Sequence, residues 1–405
     1  MTDWKTLLAA PRFRALWIAL FCVNLGSWCV MAALPILVAS RFGAGAALVL
    51  SLGWRILPKL VLAPVSGVLL RRFGAPRVAG LALAGEGALT AALPWCEDFI
   101  LLQCLIAGIG ALDVFIMPGL LSLRGTVTPR GLELAGNSLC SMADRLGKTV
   151  GPAIGGVAVL AGFGPSFLGF GIAIALAAVP VARLPRPVRE PGAFSARLRD
   201  LPGEFWAMLR GDRVLVGLLV CAVSYMIMVG GLRPFLFWAN RDWFGAADTA
   251  WTGLMAAQGA GAMIGALTAG LCNRMLLRHA SAYTLTMITG ILEGLFHLLL
   301  LFSTGPWMAM AILVLAGIPE LISTATWFTA MQQRLSPERQ GIFFTFSAPL
   351  WDCAHAVGVM SAGLHAGGML GLAPWWTMLS LAATLPIVPV LLWHARRGEV
   401  RARVA

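Results

Sequence analysis

"GVLLRRFGAPR" (67–77) and "GLCNRMLLRH" (270–279) are two short basic turns, each following an apolar run long enough to cross a bilayer. Their leading glycines stand 203 residues apart, close to half of a chain of 405. Asp113 and Glu320 repeat at 207 residues, and Asp144 and Asp352 at 208. A shared offset predicts a duplicated six-helix unit. Two such units related by an axis along the membrane normal, with a substrate held between them, form a transporter architecture.

Composition agrees with membrane placement. The chain is 59% hydrophobic and 12% charged, with a mean hydropathy of +0.83. Soluble domains average about 25% charged residues. Windows of about 20 apolar residues predict an all-α protein of twelve spans. Their limits are 15–38, 46–69, 78–95, 99–121, 135–159, 164–182, 214–232, 251–272, 281–302, 306–331, 342–365 and 374–394. Residues 1–182 form an amino-terminal six-helix bundle, 183–213 a basic, Pro-containing cytoplasmic linker, and 214–405 a second bundle.

The net charge of +12 lies in alternate short loops, around Arg12, Arg72, Arg124, Arg278 and Arg339. That placement follows the positive-inside rule and puts both termini in the cytoplasm. It speaks against nucleic acid as the partner. The eight cysteines lie mostly in apolar runs without a CxxC pair, which excludes a disulfide or zinc framework. "MTDWKTLLAAPRFR" (1–14) is too polar for a cleaved signal, and the run after it is long enough to remain as a first span. No Walker-type loop, zinc spacing or nucleophile elbow is present, so neither an enzyme nor a cofactor is expected. Trp238, Trp243, Trp251, Trp307, Trp375 and Trp376 fall near span ends and are expected to be interfacial anchors.

Ionisable groups inside spans are functional candidates, because a charge at mid-membrane costs about 2.5–3.5 kcal/mol on insertion scales. Arg55 and Lys59, in "WRILPKL" (54–60), are four residues apart and share one helix face, with no acid on their own helix. Asp113 is a candidate partner for one of them, and an anionic substrate for the other, with Trp54 available to stack on a ring. Asp144, Arg145 and Lys148 on span five suit either internal i,i+4 pairing or a functional role, Asp144 in proton coupling and Arg145 and Lys148 in substrate contact. Glu320 and Asp352, with His355 one turn along, suit proton carriage, since a buried carboxyl can load and release a proton near neutral pH. The second half is expected to carry no Lys or Arg at comparable depth.

The motifs carry a resemblance. "GVLLRRFGAPRV" (67–78) resembles the signature between spans two and three of the major facilitator superfamily, with Gly67, Arg72, Gly74 and Arg77 in place. It departs at Arg71, where an acid is usual. "GKTVGPAIGG" (147–156) is similar to the span-five pattern that the superfamily associates with exporters and antiporters, through Gly147, Gly151, Pro152, Gly155 and Gly156. "FRALWIALFCVNLGSW" (13–28) and "LAGNSL" (134–139) resemble the branch holding the enterobactin exporter and macrolide efflux proteins; Ser27 stands where that branch often has an acid. "WRILPKL" resembles exporters of carboxylate-type siderophores more loosely.

The resemblance implies a monomeric exporter in a bacterial cytoplasmic membrane, taking a small anionic metabolite, foremost a carboxylate-type siderophore, in exchange for protons. Multidrug or macrolide efflux and organic-anion import are the alternatives within transport, and a transporter-like sensor the alternative outside it. Glu86 and Glu293, on spans three and nine, rank low because those spans are peripheral in the superfamily.

Overall fold

The computed structural model describes residues 2–129, 132–185, 201–276, 280–335 and 337–396. Some side chains within these ranges, those of Gly67 and Arg71 included, lie outside the described residues, as do linker residues 186–200. The described residues are helical, with no strand among them. They group into two compact units: Met1–Glu190 with Ala247–Ala256, and Pro191–Ala246 with Ala257–Ala405.

The first unit holds α1 (Thr2–Ala9), α2 (Pro11–Phe42), α3 (Ala46–Trp54), α4 (Leu57–Phe73), α5 (Ala75–Ala92), α6 (Phe99–Val127), α7 (Glu133–Val159), α8 (Phe163–Leu176) and α9 (Ala178–Ala182). The second unit holds α10 (Leu201–Gly211), α11 (Arg213–Trp238), most of α12 (Trp251–Leu276), α13 (Ala282–Leu299), α14 (Pro306–Gln332), α15 (Pro337–Ser361), α16 (Gly363–Ala366), α17 (Leu372–Thr384) and α18 (Ile387–Arg396). Spans two, six, eleven and twelve are each broken into two helices, and the others have a single α-helix. Nine helices among the described residues are long and apolar enough to cross a membrane. Spans two, five and eight are not among them: span two is broken, and span five carries Asp144, Arg145 and Lys148 within five residues.

The surface is apolar, as a lipid-facing surface must be: Leu81, Val157, Leu160 and Leu267 are all more than two-thirds exposed. Polar groups turn inward instead, and Glu86, Gln103, Gln258 and Glu320 are buried. Trp251, Trp375 and Trp376 are fully buried, against the interfacial role expected of them. Trp376 stacks on Phe235 at 4.0 Å, and its Nε1 donates to the His297 carbonyl. Ring stacking and a satisfied N–H outweigh an interfacial position there. Trp307 is 82% exposed.

The linker contains α10, which seats Phe205 and Leu209 in the core of the second unit, with Phe205 stacked on Phe346. α11 runs six residues past the expected end of span seven, so Arg233 lies inside a membrane helix, half-buried. The expectation of no such cation in the second half is therefore incorrect; Pro234 inside α11 did not end the helix as it would have in isolation.

The duplication extends to helix starts. α5 and α13 begin 207 residues apart, and so do α6 and α14. Glu86 and Glu293 occupy one position of that repeat, and Asp113 and Glu320 another.

Candidate functional site

The site begins at a helix break. Pro58 occupies the first turn of α4, where the backbone needs no donor but a continuous helix would. The chain turns through Arg55 and Ile56 on i→i−3 bonds from Ile56 N to the Gly53 carbonyl and from Lys59 N to the Ile56 carbonyl. Arg55 and Lys59 therefore lie on opposite sides of a break, not on one continuous helix face as the spacing predicted. Gly110 of α6 lies against the backbone of this break; a Cβ there would collide with the Arg55 carbonyl. That close approach brings Asp113, one turn further along α6, within reach of both cations.

Both converge on a single oxygen. Asp113 Oδ2 lies 3.0 Å from Arg55 Nη2, 3.1 Å from Arg55 Nε and 2.9 Å from Lys59 Nζ. Charge-assisted bonds of this length are about twice as strong as neutral ones. Arg55 is 11% exposed and Lys59 is 32% exposed, so only the ammonium retains substantial contact with the surface. Glu86 of α5 joins the cluster more loosely: its Oε1 lies 3.6 Å from Arg55 Nη2 and 3.5 Å from Ser27 Oγ of α2. Sequence ranking placed Glu86 low, yet it is a member of this cluster. Its signal was the run "AGEGA" (84–88), an acid between two glycines in an apolar span. A Cβ on Gly87 would strike the Gly171 carbonyl, so α5 and α8 meet backbone to backbone beside Glu86.

The glycines of span five have a clear packing role. Built as Cβ atoms, Gly147 would meet the Asn24 backbone at 2.8 Å, Gly151 the Trp28 Cβ at 2.6 Å, and Gly155 the Cys29 carbonyl at 2.6 Å. This i,i+4 ridge, with Pro152 between its members, seats α7 directly on α2. A Cβ on Gly156 would run into Thr252. Asp144, Arg145 and Lys148 are half-buried on α7. Trp54 is 42% exposed at the end of α3. Gly74, at φ +89°, ends α4 and starts α5 in a backbone region that favours glycine, while Arg72 and Arg77 are exposed at the same turn. Gly67 and Arg71 lie on α4, and their surroundings are among the undescribed side chains.

In the second unit, Glu320 of α14 accepts from two neutral donors: Tyr225 Oη donates to Oε1 at 3.1 Å, and Gln258 Nε2 donates to Oε2 at 3.2 Å. Thr324 and Ser323 donate to the backbone carbonyls of Glu320 and Thr286, respectively. A cavity of about 150 Å³ is lined by Tyr225, Glu293, Glu320, Ser323, Trp327 and Trp351. Asp352 and His355 are half-buried one turn apart on α15. No cluster of metal-ligating side chains occurs among the described residues.

Two bundles of membrane helices with ionisable side chains turned inward describe a multi-pass transport protein. The sequence matches the Major Facilitator Superfamily over residues 16–372, and the chain belongs to that family. No curated protein sequence matches it. Among solved structures it is similar to the human organic anion transporter MFSD10 (TETRAN), with 17% identity, 94% of this chain and 99% of that one covered, and a TM-score of 0.67. The nucleoside transporter NupG, solved as a point mutant, is 11% identical over 94% of this chain and 99% of its own, with a TM-score of 0.72. An inward-facing, unoccupied bacterial homolog of the human lysosomal transporter Spinster is 15% identical over 96% and 93%, at 0.64. At these identities the likeness is one of fold.

Proposed function

We propose that this transporter exports a small anionic metabolite, foremost a carboxylate-rich siderophore, across a bacterial cytoplasmic membrane by proton antiport with alternating access. The supporting observation is the convergence of Arg55 and Lys59 on one oxygen of Asp113. Asp113 acts as an internal stand-in for substrate: it neutralises both cations until an incoming carboxylate replaces it. The guanidinium is suited to a bidentate grip, and the partly exposed ammonium to first contact. Export is supported by the glycine ridge of α7, the feature shared with exporters and antiporters. The protein works as a monomer, with both termini in the cytoplasm and the basic loops on that side.

One observation favours a second reading, import of an organic anion together with protons. An anion that displaces Asp113 from its cations leaves a carboxylate without its partners, and a proton then binds there more readily. Anion and proton would move together rather than in exchange.

Metabolite profiling of spent medium from a deletion strain should show one anionic compound depleted. Proteoliposomes loaded with that compound should then take up protons as it leaves. Protons leaving with it would establish the second reading, and an unchanged medium would refute export.

A further inference from the structure

Asp113 and Glu86 are the two acids of one cluster, and they are unequally served. Asp113 Oδ2 receives three close nitrogen contacts from two cations. Glu86, whose side chain is 2% exposed, has two contacts at the outer edge of hydrogen-bonding range, both on Oε1. Its Oε2 is buried without a hydrogen-bond partner. An ionised carboxylate in that position would leave a charged oxygen desolvated and unpaired, the most costly arrangement a buried polar group can adopt. A carboxylic acid costs far less there, because it buries no unpaired charge.

The surroundings point the same way. Within reach of Glu86, α2 contributes the Ser27 hydroxyl, the α3–α4 break contributes Arg55, α4 contributes Lys59 and α6 contributes Asp113. α8 and α9, packed behind α5, carry no ionisable side chain. Two cations facing one tightly bound carboxylate and a second carboxyl at longer range form a set in which only one acid must be charged. The backbone contact of Gly87 with Gly171 fixes α5 in place, and Arg55 Nη2 already lies 3.6 Å from Glu86 and 3.0 Å from Asp113, so a turn of its side chain is enough to change partner.

We infer that Glu86 is the proton-carrying carboxyl of the first unit: it keeps its proton while Arg55 grips Asp113, and loses it to solvent when Arg55 turns to Glu86. The proton leaves as the guanidinium arrives, so Arg55 exchanges one carboxylate partner for another, while Asp113 stays ionised beside Lys59. This inference rests on the proton-coupled reading above and assigns the coupling to a residue that the sequence alone ranked low.

Infrared spectroscopy of the purified protein in lipid tests it without a substrate, through the carbonyl stretch of a protonated carboxylic acid at neutral pH. Glu86→Gln should abolish a component of that band, whereas Glu320→Gln should leave the component in place. Arg55→Gln should make the component persist to more alkaline pH, because the cation that stabilises the carboxylate is gone. A band unchanged by Glu86→Gln would overturn the inference. If Glu86→Gln does not fold, wild-type protein treated with dicyclohexylcarbodiimide, which attacks protonated carboxyls in apolar surroundings, should carry an adduct on Glu86. Absence of that adduct would equally overturn it. Failure of the transport reading looks different: wild-type vesicles would then move the profiled metabolite without proton flux, while the infrared component remained.

Discussion

Asp113 and Glu320 occupy the same place in the two halves of the chain, each fourteen residues into a helix that begins 207 residues from its counterpart. Glu86 and Glu293 repeat at the same distance. Both units thus carry a pair of acids on equivalent helices, and their partners differ. In the first unit the acid of the fourth span meets two cations at 2.9–3.0 Å. In the second, it meets a tyrosine hydroxyl and a glutamine amide at 3.1 and 3.2 Å. At the 203-residue offset of spans two and eight, the positions in α12 that correspond to Arg55 and Lys59 are Gln258 and Ala262, and a Cβ on Gly317 would meet the Gln258 carbonyl as one on Gly110 would meet that of Arg55. Duplication supplied the carboxyl pair, and divergence between spans two and eight set a guanidinium against Asp113 and an amide against Glu320. A carboxylate between cations stores more electrostatic energy than one between neutral donors, and each removal costs correspondingly more.

The comparison can be broken at its strongest point first. Asp113→Asn strands two cations inside the bundle, and removing one partner of a buried pair costs about 3–5 kcal/mol. Thermal unfolding in detergent should show a large drop in Tm, and adding Arg55→Gln and Lys59→Gln should restore much of it. A stable single variant would mean that the cluster is not held by charge. Glu320→Gln should cost less, about 0.5–1.5 kcal/mol for an imperfect neutral replacement. A loss as large as that of Asp113→Asn would show that the two sites are alike after all. The smallest effect belongs to Arg334, whose guanidinium bonds both oxygens of Asp212 at 2.8–2.9 Å while 38% exposed. Arg334→Ala should cost about 0–1 kcal/mol, and the difference should shrink in concentrated salt.

Much of this arrangement was readable from residues alone, because hydropathy windows and loop charges report directly on the bilayer. The glycine ridge was legible too, since spacing by four in a membrane helix has one common physical use. The break in span two had a plain signal in Pro58, but an apolar window averages over a single proline. Convergence of Arg55 and Lys59 on one oxygen was beyond reach of the sequence, because it depends on how closely Gly110 lets α6 approach. Glu86 was discounted from its position on a peripheral span. The cross-helix contact that corrects this, Ser27 of α2 against Glu86 of α5, spans 59 residues and has no local trace. In this fold the neighbour of Ser27 is the Glu86 carboxyl.

The order of the cluster along the chain also shapes how the protein is made. Arg55 and Lys59 are synthesised before either acid: Glu86 comes 31 residues after Arg55, and Asp113 comes 58 residues after it. At a translation rate of about 5–20 residues per second, span two waits roughly 3–12 s for its main counter-charge. Throughout that interval a nascent segment carrying two cations must be kept from lipid by the insertion machinery or by the hairpin with α5. The first unit is therefore assembled in the ribosome's own sequence, cations first and their neutralising partner last.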